Sequence, residues 1–529
     1  TGIGYKVLES ITTGGSNTAV GVTAGDSITS ANYNVAVGLD ALGQTTTGGA
    51  NVAVGYQAME GDADGDGADN VAIGHKAMLA NVSPSKNVAI GDSAMRAMNG
   101  TANGIAQCVA IGANAFFGDA DNTTTGTDGT TAIGYNALFS LTTGPQNTAI
   151  GSYNSDALTT GGYNTSVGRS TLGALTAGSH NIALGRATLT TAADDESDNI
   201  AIGNSAIGAA KQDGTVSSTN REVKRNIAIG TDALAGGTLT GTNHLESNIA
   251  IGYAALDATG ANNQIGTIAI GDHSLSALTS GAKTVAIGYE AMLYMTDGEN
   301  NTVVGHTAFR TADNGESDNV VIGRAAGYSI NHASSDYNVI IGSAAGTGGA
   351  AEFSANIAIG FAALNSTGTN SVSGQIAIGY NALTSLTSGD GNTVIGTEAA
   401  EDITTGNYNT VIGQQAIQNA QTDVSNTTAL GWRAGYKLGD DGGSDHSESN
   451  IMIGVSALGG GSGTIASNTA NFNIAIGNST LGAGTSTASS MAGNTVIGHN
   501  ASNVATDGAD NVVIGKDAAL TMTTGYFNT

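Results

Sequence analysis

The stretch Asn87-Val88-Ala89-Ile90-Gly91 is one of 28 copies of a five-residue phrase, whose glycine recurs at Gly4, Gly21, Gly38, Gly55, Gly74 and onward to Gly498 and Gly515. The shortest step between these glycines is 17 residues, taken in twelve of the 27 intervals, and the longest is 27, from Gly203 to Gly230. A unit this short cannot enclose a core of its own and must stack on its neighbours, which is the behaviour of a solenoid. Residues 1–529 therefore read as one continuous repeat array with a 17-residue minimum unit rather than as several globular domains. The array begins and ends inside a repeat, at Thr1 and at Asn528-Thr529, so it reads as an internal segment of a longer fibre.

Within the phrase, the residue three before the glycine is always Thr, Val or Ile, and the residue one before it is always Ile, Val or Leu. β-Branched residues at alternating positions, closed by glycine, predict a short strand ending in a bend. On this reading the two large residues share the core face, and Ile251→Asp should disrupt a coil. The residue between them is Ala in 18 repeats and Val in six, so the opposite face is apolar too. A strand apolar on both faces is normally covered on both. The expectation is that the small Ala face packs against other copies of the chain, three of them around an axis. Ala recurs three residues after the glycine, often followed by Leu or Met, as in Tyr135-Asn136-Ala137-Leu138. This segment reads as a second strand, followed by a polar bend such as Thr142-Thr143-Gly144 that takes the insertions.

Asn stands four before the glycine in 21 repeats, including Asn34, Asn51, Asn70, Asn87, Asn199, Asn226, Asn248 and Asn473. Coils stacked at about 4.8 Å would bring such side chains together as a structural amide ladder along the fibre.

Chemistry-bearing patterns are sparse. No nucleophile elbow, zinc-protease helix or phosphate loop is present, and the eight histidines are scattered, so no catalytic residue is assigned and no enzyme is expected. In Asp62-Ala63-Asp64-Gly65-Asp66-Gly67 the carboxylates occupy the first, third and fifth positions of a calcium loop, with Ile73 where the twelfth-position Glu belongs. Asp62, Asp64 and Asp66, completed by Asp69, are thus a candidate calcium site outside the EF-hand pattern, weighed against a plain acidic bend; no other cofactor is indicated. The longest insertion gathers Lys211, Arg221, Lys224 and Arg225, four of the 16 basic residues, as candidate contacts to a partner or to a neighbouring subunit's acidic edge. Aromatic residues directly after the glycine, from Tyr5 to Trp432, would line one outer edge, where sugars stack or where rings fill grooves between coils.

With 80 Gly and 2 Pro the chain is not collagenous, and its net charge of −27 disfavours nucleic acid and anionic membrane surfaces. A single Cys108 rules out an intrachain disulfide framework. No apolar run is long enough for a membrane helix, so no membrane insertion is expected.

The units Asn147-Thr148-Ala149-Ile150-Gly151 and Asn87 through Ala94 resemble repeats of bacteriophage tail fibres of the marine and cyanophage type, and the head repeats of trimeric autotransporter adhesins. The resemblance implies an all-β parallel β-solenoid, a β-roll or β-helix of about 28 coils, assembled as a homotrimeric fibre. It further implies an extracellular shaft on a virion or bacterial surface that attaches to a host glycan or protein. The phage tail fibre is the first expectation. A bacterial trimeric adhesin or self-assembling extracellular filament is the alternative, and a solenoid polysaccharide depolymerase stands behind both.

Overall fold

A computed structural model describes the chain from Thr1 to Phe527, apart from residues 62–65, 82–83, 98–104, 119–125, 191–195, 209–222, 237–243, 260–262, 282, 366–367, 369, 420–423, 437, 439–446, 460–469, 483–490, 503–506 and 521–523. The described residues contain strands, turns and bends but no helix, and the strands pair in parallel, so the protein is an all-β parallel β-solenoid. Two compact units are distinguished, Thr1–Thr267 and Ile268–Thr529.

In the first unit, fourteen phrase strands run from Gly2–Ile3 to Ile249–Ile251, each pairing with the equivalent strand of the next coil. Equivalent residues lie opposite one another: Val71 faces Val88, Ala72 faces Ala89 and Ile73 faces Ile90. The 27-residue step leaves this register intact, since Ile200, Ala201 and Ile202 still face Ile227, Ala228 and Ile229. Added residues therefore do not slip the strand register. The second unit repeats the arrangement over fourteen strands, from Ile268–Ile270 to Val512–Ile514.

The burial of these strands reverses the sequence expectation. In Val88–Ile90, as in its neighbours, the central Ala is buried while the β-branched residues on either side are half-buried or exposed. The core lies on the Ala side. It is completed by the Ala and Leu three and four residues after the glycine, such as Ala137 and Leu138, and by Leu141, Leu158 and Leu175 seven residues after theirs. A coil of 17 residues is narrow, so its strand mostly presents a small side chain to the wall that carries Leu, Met or Phe. Exchanges between the two walls fit this: Ile340 replaces the usual Ala where the facing position is Gly346, whose absent Cβ would stand 3.1 Å from Ile340. Polar exchanges are matched as well, for Ser166 in the Ala row donates to Asn154 Oδ1 at 2.5 Å. The Ala face is thus the inside of the coil and cannot be the subunit interface expected from the sequence. Ile251 points out of the core, so the expectation that its substitution breaks a coil is withdrawn.

The segment after the glycine is also not a strand. Asn136 and Leu138 both have positive φ, 54° and 51°, and the same alternation recurs at Lys76 and Met78 and at Glu290 and Met292. Non-glycine residues in this region cost of order 1–3 kcal/mol each and persist only when their surroundings over-determine them. Here the stack does so: Asn136 N–H donates to Ala113 O at 3.1 Å and Leu138 N–H to Asn154 O at 2.9 Å, one in each neighbouring coil. The second strand occurs instead just before the Asn, as in Val223–Lys224 paired with Leu245–Glu246 and Phe353–Ser354 paired with Val372–Ser373. At the corner itself, Gly91 has a φ of +140° and any Cβ there would sit 2.5 Å from Gly112 O. Only glycine lets successive coils approach this closely.

Candidate functional site

The eight Asn residues singled out from the sequence are buried and form a backbone-linked ladder within the first unit and at Asn473 in the second. Asn226 shows the pattern. Its N–H and its Nδ2 donate to Asn199 Oδ1, both at 3.1 Å, and its Nδ2 also donates to Leu245 O at 2.7 Å. Its own Oδ1 accepts from Asn248 N–H at 3.0 Å. Asn34, Asn51, Asn70 and Asn87 likewise accept, through Oδ1, the backbone N–H of the following coil's Asn or Cys at 2.9–3.0 Å. Every polar atom of these amides is engaged with the neighbouring coils, so the row is structural.

Cys108 occupies one Asn position. Its N–H donates to Asn87 Oδ1 at 2.9 Å, and its Sγ contacts Thr127 O at 3.4 Å, a weak stand-in for the amide Nδ2. Burial pushes its thiol up to about 11, which keeps it protonated and unreactive at neutral pH. Where Thr replaces Asn at Thr130 and Thr267, the hydroxyl finds no partner among the described residues.

Of the candidate calcium ligands, Asp62 and Asp64 lie outside the described residues. Asp66 and Asp69 are in the bend before Asn70, where Asp69 has a φ of 62° and its N–H donates to Gly49 O at 3.1 Å. Among the described residues no group of three or more His, Cys, Asp or Glu is arranged to hold a metal ion. Of the basic cluster, Lys211 and Arg221 lie outside the described residues. Lys224 sits in the short strand facing Glu246, and Arg225 forms an ion pair with that same Glu246, so its counter-charge comes from the next coil of its own chain.

What faces outward is more informative. In both units the residues three and one before each glycine form two parallel rows of Val, Ile, Leu and Thr on one side of the strands, without a charged residue in either row. Ile73, Ile90 and Ile111 in the first unit and Ile451 and Ile453 in the second remain 36–39% exposed although each is flanked by its like. Fourteen rungs at about 4.8 Å make an uncharged strip on the order of 60 Å long in each unit, a contiguous apolar surface of the kind that marks contact sites. The sequence pattern contained these rows; what it did not show was on which side of them the coil closes.

Across the glycine corner from the strip lies the aromatic edge. Tyr56 stacks on His75, Tyr289 on His306 and Phe361 on Tyr380, with ring centroids 5.1–5.4 Å apart. His75 also pairs with Asp92, which holds that carboxyl below its ordinary range. Arg310 lies over the rings of Tyr294 and Tyr328, at 5.1 and 5.9 Å, and donates to Glu290 at 2.6 Å. That hydrogen bond lowers the Glu290 pKa and raises that of Arg310. A second such arrangement surrounds Arg433, between Trp432 and Tyr436 at 4.8 and 4.5 Å.

No known family model matches this chain, and no curated protein matches it.

Proposed function

We propose that the chain is a structural segment of a surface-attachment fibre, the shaft of a tail-fibre-type assembly in which copies of the solenoid pack together through their outward Val, Ile and Thr rows. The observation that carries this reading is the uncharged strip itself, on a chain whose net charge is −27. Such a surface is costly to leave in water at about 25 cal/mol per Å² of apolar area. A second copy suits it best, because another solenoid presents the same rung spacing and the same pair of rows, whereas the acidic remainder of the surface keeps copies apart elsewhere. Three copies around an axis is the number that the repeat resemblance implies, and attachment to a host surface is the role that goes with it. The role is structural, with no catalytic step assigned.

Light scattering on the purified chain tests the assembly. The expected mass is three times the 51.9 kDa of one chain, falling to 51.9 kDa when Ile359 and Ile378 are both changed to Asp. A monomeric wild type, or a double variant that keeps the assembled mass, would overturn the strip as the contact. Adhesion of the labelled protein to candidate host cells tests attachment separately.

A further inference from the structure

Within Ile268–Thr529, the side chains two and five residues after each glycine lie beside the aromatic edge, and in one region they form an extended network. From Asn381 to Arg433 six of those positions, Asn381, Glu398, Glu401, Gln415, Gln418 and Arg433, carry planar polar groups joined in a single chain of hydrogen bonds. Asn381 Nδ2 donates to Glu401 Oε1 at 2.9 Å, and Gln418 Nε2 donates to Glu401 Oε2 at 2.8 Å and to Glu398 Oε2 at 3.1 Å. Gln415 Nε2 donates to the same Glu398 oxygen at 2.8 Å, while its Oε1 accepts from Arg433 Nε at 2.7 Å. Aromatic rings stand at both ends: the exposed Phe361 and Tyr380 stack at one, and the exposed Trp432 with Tyr436 brackets the guanidinium at the other.

We propose that this patch is a binding site for a neutral oligosaccharide, a reading that rests on the attachment role proposed above and names where attachment occurs. Planar amides, carboxylates and guanidinium groups match the vicinal hydroxyls of a sugar ring, which can donate and accept at once. Exposed aromatic rings offer their apolar faces to the C–H faces of the same ring. The network holds long side chains that lose rotamer freedom when ordered, so that this cost is met before a ligand arrives. Open capacity remains where a ligand would meet it. Arg433 donates through Nε alone, and Glu398 accepts through Oε2 alone; the Arg433 Nη groups and Glu398 Oε1 have no partner among the described residues and are not buried.

Five coils, from that of Phe361 to that of Trp432, span roughly 19 Å at the β spacing, which suits an oligosaccharide rather than a single sugar. Two Glu against one Arg in the network, on a chain of charge −27, repel uronic or sulfated glycans. Trp432, Arg433 and their partners lie past the Gly431 corner, away from the Thr428 and Leu430 rows of the strip, so packing between copies leaves the patch free.

Trp432 is the only tryptophan of the chain, so its emission reports on this site alone. The full chain is titrated with malto-, cello-, manno- and chito-hexaose. The expected result is a saturable change in emission with at least one of them, weakened about tenfold or more in Arg433→Asn, whose side chain tolerates the positive φ found there. Solution mass and melting temperature of that variant should equal the wild type's. Silence with all four sugars, binding that survives Arg433→Asn, or a response only to uronic or sulfated oligosaccharides would each overturn the site. If labelled Arg433→Asn protein still adheres to host cells as the wild type does, the site fails while the attachment reading stands; if neither adheres, that reading fails on its own.

Discussion

In Ile357–Ile359 the central Ala358 is closed off from solvent, while Ile357 and Ile359, one residue to either side, are only half-buried. The inner and outer rows of this strand are both apolar, yet the smaller side chain lies inside. Hydrophobicity decides that neither row belongs in water. Which one closes the coil is decided by room: the inner row must fit against Leu364 and its equivalents across a coil a few side chains wide, and the outer rows have no such limit.

Substitutions at the two rows should separate these roles. Ala358→Asp places a charge with no counter-ion in the narrow interior and should cost several kcal/mol, enough to abolish cooperative unfolding of the surrounding coils in a denaturant titration. A smaller effect is expected at Glu316, which is buried in an inward row seven before Gly323, with Asn314 N–H on Oε2 at 3.0 Å and no partner for Oε1 among the described residues. Burial, aided by the nearby Asp313, pushes its carboxyl from 4.5 up to about 7. The unfolded chain releases that proton near its ordinary value and the folded chain only near 7. Stability tied to the protonated group is therefore complete below about pH 4.5 and lost as pH rises through 7. Glu316→Gln should flatten this slope and gain on the order of 2 kcal/mol over the wild type at pH 8, measured by denaturant unfolding at pH 4.5 and 8.

Asn226→Ala should cost about 1–3 kcal/mol, because it strips the acceptor from Asn248 N–H and the donor from Leu245 O while both remain buried. Hydrogen exchange at the Asn248 amide would localise the loss, and an unchanged exchange rate there would contradict the ladder's role. The outer row should respond least: Ile251→Asp is expected to shift the unfolding free energy of the isolated chain by no more than about 0.5 kcal/mol, its effect falling on assembly instead. A loss comparable to that of Ala358→Asp would put Ile251 back in a core.

Much of this architecture was legible in the chain. The glycine spacing announced a solenoid and Asn at a fixed place announced a ladder, because each depends on identical residues being superposed by stacking. The segment from Asn136 to Leu138 was misread as a strand because Ala-Leu alternation looks the same in β and in alternating β and left-handed conformation; only the φ values separate them. The polar network from Asn381 to Arg433 was invisible for another reason. Its members are 17 to 20 residues apart, unremarkable one by one, and become a patch only when the coils set them side by side.

Periodicity by itself determined that this protein is a stacked parallel β-solenoid, because a regular recurrence of strand, glycine and Asn admits no other way to satisfy short strands and buried amides together. Tertiary structure alone decided which apolar row is the core and which is the surface. That choice turns on the width of the coil and on how closely facing side chains fit, quantities that exist only once the walls are folded against each other.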